Sequence, residues 1–191
     1  PELVSLTIRK PSLKIISVDD FYRSGFFNHM RKAEEQNPED EELLEIYGHL
    51  QEYEEGAKKR VEFLRKAVRY GKNIVIAGET GSGKTTFMKA LMQDIPRDER
   101  IVTIEDVPEL VHGLPYHDNK VCLFYPSEAK RNSNVTAASL MRSCLRMKPD
   151  RILLAELRGP ETFDFLNICL SGHGGSITSC HAVRMSSSTL L

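Results

Sequence analysis

The residues with the plainest chemical purpose are Gly78-Glu79-Thr80-Gly81-Ser82-Gly83-Lys84-Thr85-Thr86. Two glycines enclose four residues and are followed by lysine and threonine, the spacing of a phosphate-binding P-loop. Gly78 and Gly83 can take backbone angles closed to other residues and let the chain approach phosphate. The successive N–H groups of such a loop form an anion-binding nest. A helix starting near Lys84 adds the positive end of its dipole. The Lys84 ammonium would reach the β- and γ-phosphates, and the Thr85 hydroxyl would ligate magnesium. ATP and Mg2+ are therefore the expected cofactors.

Hydrolysis also needs the magnesium held and a water aimed at the γ-phosphate. Carboxylates at strand ends suit both tasks, and two apolar runs end in one. Residues 101–104 run into Glu105-Asp106, with Glu109 a helical turn further on, and residues 152–155 run into Glu156. In a parallel sheet, neighbouring strands end on the rim that carries the P-loop. Glu105 and Glu156 are thus candidates for holding magnesium, through water, and for orienting the attacking water. The sequence does not rank them between these roles, although Glu156 lies where the second phosphate-site motif of P-loop enzymes belongs. Glu109 reads as a helix-capping acid.

The elements that must position these groups follow from the hydrophobic pattern. From about residue 61 short apolar runs alternate with helical periodicity. Strands are expected at 73–77, 101–104, 152–155 and 177–180, and helices at 84–95, 135–147 and 162–170. On the first helix Phe87, Met88, Leu91 and Ile95 share a face, and on the second Ala138, Met141, Cys144 and Leu145 do. Strands alternating with helices predict an α/β fold with a mostly parallel sheet. The expected organisation is the tail of an N-terminal domain over 1–18, an acidic helical linker over 19–62 and the P-loop domain over 63–191. In the linker, Asn37-Pro38 marks a break. Leu43, Leu44, Ile46, Tyr47 and Leu50 then follow at helical spacing. The acid run around them reads as a solvated face, the alternative being a docking surface for a basic partner.

Composition narrows the class. Apolar residues make up 40% of the 191, enough for a packed core, and the net charge of −1 gives no global pull toward nucleic acid or anionic membrane. The four cysteines, Cys122, Cys144, Cys169 and Cys180, have no zinc or redox spacing. Cys144 and Cys169 read as buried small hydrophobes, and a reducing cytoplasm fits best. No apolar run is long enough to span a bilayer. The chain starts at Pro1 without an initiator Met and stops at Leu191 in mid-pattern, so a fragment at both ends is expected.

Together, four segments resemble the secretion traffic ATPases, the motor family of type II and type IV secretion and of type IV pili. They are the P-loop GETGSGKTT, then IVTIEDVPEL at 101–110, similar to that family's aspartate box. RMKPDRILLAELRGPE at 146–161 resembles its second Walker motif, with glutamate for aspartate, and GHGGSITSCHA at 172–182 its histidine box. The segment SLTIRKPS at 5–12 is similar to the end of the N-terminal domain of the type IV secretion branch, and the four-cysteine metal element of many type II members is lacking. The resemblance implies a RecA-like domain in a homo-hexameric ring, hydrolysing ATP to drive pilus assembly or substrate export. It implies partners in the secretion machinery and a cytoplasmic, peripheral place at the bacterial inner membrane, with nucleic acid at most a transported cargo.

By the same resemblance Lys84 and Thr85 act on phosphate and magnesium, Glu105 and Glu156 on the catalytic side, and His181 as γ-phosphate sensor, with His173 in the same box. Ring motors also use arginines to neutralise transition-state charge. Arg142, Arg146 and Arg158 are candidates, as is Arg9 beside the nucleotide, against the alternative of surface ion pairs. The competing functions are a type II secretion or pilus motor, a DNA-dependent motor of the same core fold, and a non-hydrolysing scaffold in which ATP joins subunits. The DNA motor would call for a basic, aromatic-bearing groove, and the chain has no tryptophan.

Overall fold

The computed structural model describes residues 23–24, 37–50, 56–126 and 135–182. Arg9 and the expected N-terminal strand lie outside the described residues. Two helices come first, α1 (Pro38–Gly48) and α2 (Gly56–Arg69). The α/β unit follows as β1 (Ile74–Gly78), α3 (Lys84–Met92), β2 (Ile101–Glu105), a 3-10 turn (Leu110–Gly113) and β3 (Lys120–Phe124). It continues with α4 (Ala137–Cys144), a 3-10 turn (Leu145–Met147), β4 (Arg151–Leu157), α5 (Glu161–Leu170) and β5 (Ile177–His181). The strands form one five-stranded sheet in the order β1-β5-β4-β2-β3, and every pairing is parallel. β1 thus sits beside β5, so the P-loop and the last described strand end together on one rim.

Each face of the sheet buries its own core, because side chains alternate along a strand. On one face Val68 of α2 and Met88, Leu91 and Met92 of α3 pack with Ile101, Leu153 and Ile177. On the other, Ala137, Met141 and Cys144 of α4 and Phe165 and Ile168 of α5 pack with Val102, Ile104, Ile152 and Leu154. The central strands β2 and β4 are covered on both sides, which is why they read as continuous apolar runs.

Several expected faces shift. Phe87 is exposed while Met88, Leu91 and Ile95 are buried. Ala137 rather than Ala138 enters the core, and Leu145 is exposed in the 3-10 turn. Cys144 is buried, whereas Cys169 is half-buried.

α1 begins where the sequence breaks at Asn37-Pro38. The Asn37 side chain accepts from the Glu39 N–H at 3.1 Å, Pro38 occupies the first turn, and Glu39, Asp40 and Glu41 favour its dipole. Leu43 and Ile46 are buried, while Leu44 and Tyr47 face out. The acid run is not simply a solvated face. Lys66 Nζ of α2 donates to Glu42 Oε1 at 2.6 Å, the Tyr70 hydroxyl donates to Glu42 Oε2, and Lys72 Nζ pairs with Asp40 Oδ1 at 2.7 Å. Those acids meet basic groups of the same chain. α2 itself runs unbroken through positions 62 and 63.

Candidate functional site

The P-loop leaves β1 at Gly78 and enters α3 at Lys84. Gly81 and Gly83 stand at φ of 77° and 85°, in the left-handed region that disfavours other residues. A Cβ on Gly78 would lie 2.8 Å from Ser82 Oγ, so a side chain there would make the Ser82 hydroxyl turn away. α3 has no side chain capping its N-terminus, which leaves its first N–H groups aimed at the loop. Lys84 Nζ donates to the Gly78 and Glu79 carbonyls at 2.9 and 2.8 Å. The ammonium is folded back into the loop and held ready at its mouth. Thr85 is half-buried in the first turn of α3, and Thr80 and Thr86 are exposed.

Across the rim, β4 breaks its register against β5 between Leu154 and Leu157. Ile152, Leu154 and then Leu157 pack on the α4 and α5 side, while Ala155 packs on the α3 side. The extra residue is a bulge, a device that re-aims a side chain at the end of a strand. It sets Glu156 at the rim instead of in either core. Ser179 Oγ donates to the Ala155 carbonyl at 2.7 Å and satisfies the backbone there.

Glu156 is the hub of a charged cluster. Its Oε2 accepts from Arg158 Nε at 2.7 Å and pairs with the second guanidinium nitrogen, Nη2, at 2.6 Å. His181 Nε2 lies 2.5 Å from Oε1. Beyond this contact the buried Oε1 has no hydrogen-bond donor among the described residues. His181 Nδ1 in turn lies 3.5 Å from Thr80 Oγ1 of the P-loop. The register of β1 with β5 makes this possible, since Gly78 and His181 are paired and the Ala182 N–H donates to the Gly78 carbonyl at 3.2 Å. Arg158 reaches further, from Nη1 to Asp106 Oδ2 at 2.7 Å. Burial works against its charge, but Glu156 and Asp106 outweigh that and hold its pKa above the ordinary value. The Tyr125 hydroxyl nearby is pushed up to about 12 by burial and then by the charge of Asp106.

The expected site residues divide. Thr80, Lys84, Glu156, Arg158 and His181 come together on one rim. Glu105 is drawn elsewhere. It is fully buried, its Oε2 accepts from the N–H groups of Glu109 and Leu110 at 2.7 and 2.6 Å, and its Oε1 accepts from that of Val111 at 3.1 Å. Its carboxylate caps the 3-10 turn (Leu110–Gly113), with both oxygens accepting from backbone N–H groups. Arg142 pairs with Asp164 of α5 at 3.2 Å, away from the cluster. Arg146 is exposed in the turn that enters β4, at the opposite rim. His173 also precedes its strand and contacts Ser171 Oγ at 3.3 Å. Asp106 is the residue that sequence reasoning passed over. The available signal was its place directly after Glu105 at the end of a strand on the nucleotide rim.

Nucleotide and magnesium fit what is present. The loop runs through left-handed Gly81 and Gly83, a cation stands on its carbonyls, and the buried Glu156 Oε1 and the Thr85 hydroxyl are oxygen donors suited to a hard cation. Among the described residues no group of three or more His, Cys, Asp or Glu could hold a metal by itself, so magnesium would rely on phosphate oxygens and water. No helix among the described residues is long and apolar enough to cross a membrane.

Comparison with known proteins agrees with this geometry. The family described as type II/IV secretion system protein matches residues 40–190. The type IV secretion system protein VirB11 of Brucella abortus is 58% identical over 182 residues, covering 94% of this chain and 48% of the relative. The type IV secretion system protein PtlH of Bordetella pertussis is 48% identical over 185 residues, covering 95% of this chain and 51% of the relative. A crystal structure of the VirB11 ATPase from the Brucella suis type IV secretion system in complex with sulphate superposes with a TM-score of 0.77 at 54% identity, covering 94% of this chain and 50% of that one. The fold is the RecA-like P-loop type. This chain spans about half the length of the curated relatives it matches.

Proposed function

The chain belongs to the type II/IV secretion system protein family, and from that premise we propose that it is the nucleotide-hydrolysing part of the ATPase motor of a bacterial type IV secretion system. ATP with Mg2+ would be its substrate. In the full-length protein, subunits would assemble as a homo-hexamer, working with other secretion components at the cytoplasmic face of the inner membrane. Residues 63–191 would be the RecA-like domain, with 19–62 linking it to an N-terminal domain. The observation that carries the reading is the contact of His181 with both the P-loop and Glu156, which joins phosphate binding to the strand that bears the acid. The names of the relatives, both from type IV secretion systems, favour that branch over type II secretion or pilus motors.

The residues would divide the work as follows. The N–H groups of 79–84 and the Lys84 ammonium bind phosphate, Lys84 exchanging the Gly78 and Glu79 carbonyls for phosphate oxygens. Thr85 and, through water, Glu156 would hold magnesium, whose chemistry is to neutralise charge on the phosphate oxygens. His181 stands between the γ-phosphate side of the loop and Glu156 and would report which nucleotide is bound. Arg142, turned to Asp164, would act only toward a neighbouring subunit. Arg9 would approach the nucleotide from the N-terminal domain.

The test is ATP hydrolysis by the full-length protein at concentrations where it assembles, with and without DNA, beside Lys84→Ala and Glu156→Gln. The parent should turn over ATP without needing DNA, Lys84→Ala should lose binding, and Glu156→Gln should bind ATP but hydrolyse it ~10²-fold more slowly or worse. A parent that binds ATP and never hydrolyses it, assembled or not, would instead be the scaffold.

A further inference from the structure

Two carboxylates from neighbouring strands share one cation at the nucleotide rim. Arg158 holds Glu156 Oε2 through Nε and Nη2 at 2.7 and 2.6 Å, and holds Asp106 Oδ2 through Nη1 at 2.7 Å. The side chains of Asp106 and Glu156 are only 8% and 13% exposed, against 48% for Arg158. The acids are therefore sheltered while the cation that neutralises them keeps one side in water. Both anchor points are firm. The N–H groups of Arg158 and Gly159 donate to Glu161 Oε1 at 2.5 and 2.7 Å, which fixes the backbone under the guanidinium. Asp106 Oδ1 accepts from the Val107 N–H at 3.0 Å, which fixes the second carboxylate. Glu156 is held differently. Arg158 holds its Oε2, and His181 Nε2, at 2.5 Å, is what meets its Oε1 among the described residues.

A cation that neutralises a carboxylate opposes any other cation drawn to the same carboxylate. We propose that Arg158 is a positioning residue acting as a displaceable internal counter-ion: it holds Glu156 against Asp106 and yields Glu156 to the magnesium that loads with ATP, keeping its hold on Asp106. This inference rests on the ATPase reading and assigns that site a regulation. Loading at the P-loop becomes linked to the segment after β2, because the guanidinium freed from Glu156 is left on Asp106, four residues before the 3-10 turn. The exchange also sets a threshold, since nucleotide without enough magnesium leaves the pair closed.

The measurement uses the full-length protein and a fluorescent ATP analogue, with binding followed as Mg2+ is titrated. Arg158→Gln removes the competing charge and keeps a polar side chain. It should move the Mg2+ midpoint for analogue binding down about tenfold, while turnover at saturating Mg2+ falls because Asp106 and Glu156 are no longer aligned. Arg158→Lys keeps the charge but cannot grip both carboxylates with a planar fork, and should fall between. Asp106→Asn added to Arg158→Gln should not move the midpoint further, because the link is already cut. Should Arg158→Gln fail to fold, Arg158→Lys carries the test by the direction of its midpoint. An unmoved or raised midpoint in the folded variants overturns the inference while the parent still binds and hydrolyses ATP. A parent that never binds the analogue overturns the ATPase reading itself, a result visible before any variant is made.

Discussion

β4 carries an arginine at each end, and the two do opposite things with the same chemistry. Arg151 opens the strand at the rim away from the P-loop. Its side chain is 2% exposed, grips both oxygens of Glu99, and donates from Nη1 to the Val68 carbonyl at 2.5 Å. Gly175 leaves room for it, since a Cβ there would come within 3.0 Å of that nitrogen. Arg158, just beyond the other end, also grips carboxylates through more than one nitrogen, yet it is half exposed. A buried pair is fixed, because breaking it strands a charge in a poor solvent. A half-exposed one can exchange partners, since water takes up whatever is released. Burial, more than the identity of the pair, separates the end of β4 that fastens the fold from the end that can respond to a ligand.

The largest effect should therefore come from the rim without the P-loop. Arg151→Met should cost about 3–5 kcal/mol of stability, by leaving Glu99 unpaired and the Val68 carbonyl without its donor. Arg158→Gln should cost less, about 1–2 kcal/mol, because it leaves the sheltered Asp106 and Glu156 without their shared cation but removes no buried guanidinium. Urea unfolding of the two variants beside the parent checks both. Adding Glu99→Gln to Arg151→Met should recover part of the loss, because the stranded charge is then gone. Equal losses from the two arginines would break the comparison and remove the case for an exchangeable Arg158.

The same contrast divides two adjacent acids. Asp106 meets the exchangeable arginine, while Glu105 is fully buried against three backbone N–H groups. Glu105→Gln replaces one acceptor oxygen with a donor that faces those N–H groups. It should lower stability by about 1–3 kcal/mol with analogue binding retained, and any loss of turnover should track the loss of fold on heating. A Glu105→Gln protein of parental stability that binds ATP and stalls would return Glu105 to the role of aiming water.

Those two acids also mark where sequence reading stops. β2 and β4 were legible because central strands of a parallel sheet are continuous apolar runs, and the P-loop with β1 before it because the loop has a fixed spacing. β3 was not read as a strand. It lies at the sheet edge with Lys120 at its start and Phe124 exposed, although the apolar run at 121–125 was an available signal. α2 was divided at 62 between the linker and the P-loop domain, because half of its residues are charged and one side of it is apolar. In the site, Lys84, Glu156, Arg158 and His181 follow from motif and rim. Which of Glu105 and Asp106 turns to the cluster depends on the 3-10 turn at 110–113, whose need for a cap has no pattern in the sequence. The register break that aims Glu156 is equally hidden, since a bulge adds a residue without changing the apolar run.

The smallest effect should come from a third set of ion pairs, those that fasten α1 to α2. Glu42 accepts from Lys66 and Tyr70, and these hydrogen bonds, Lys66 first, hold its pKa below the usual 4.5. A depressed carboxylate contributes stability above that usual value and loses it as pH falls through the lower, folded-state value. The α1 contact should thus be intact at neutral pH and loosen below about pH 4, while the β sheet, whose core does not depend on it, stays protected. Hydrogen exchange over 37–50 at pH 7 and at acid pH reads this directly. Glu42→Gln should show the acid-state exchange of α1 already at pH 7, with the amides of β2 and β4 unchanged. The pairs lie at the surface, so added salt should act in the same direction. If α1 instead exchanges together with β4 at every pH, the pairs behave like Arg151 and Glu99, and exposure does not by itself make an ion pair exchangeable in this protein.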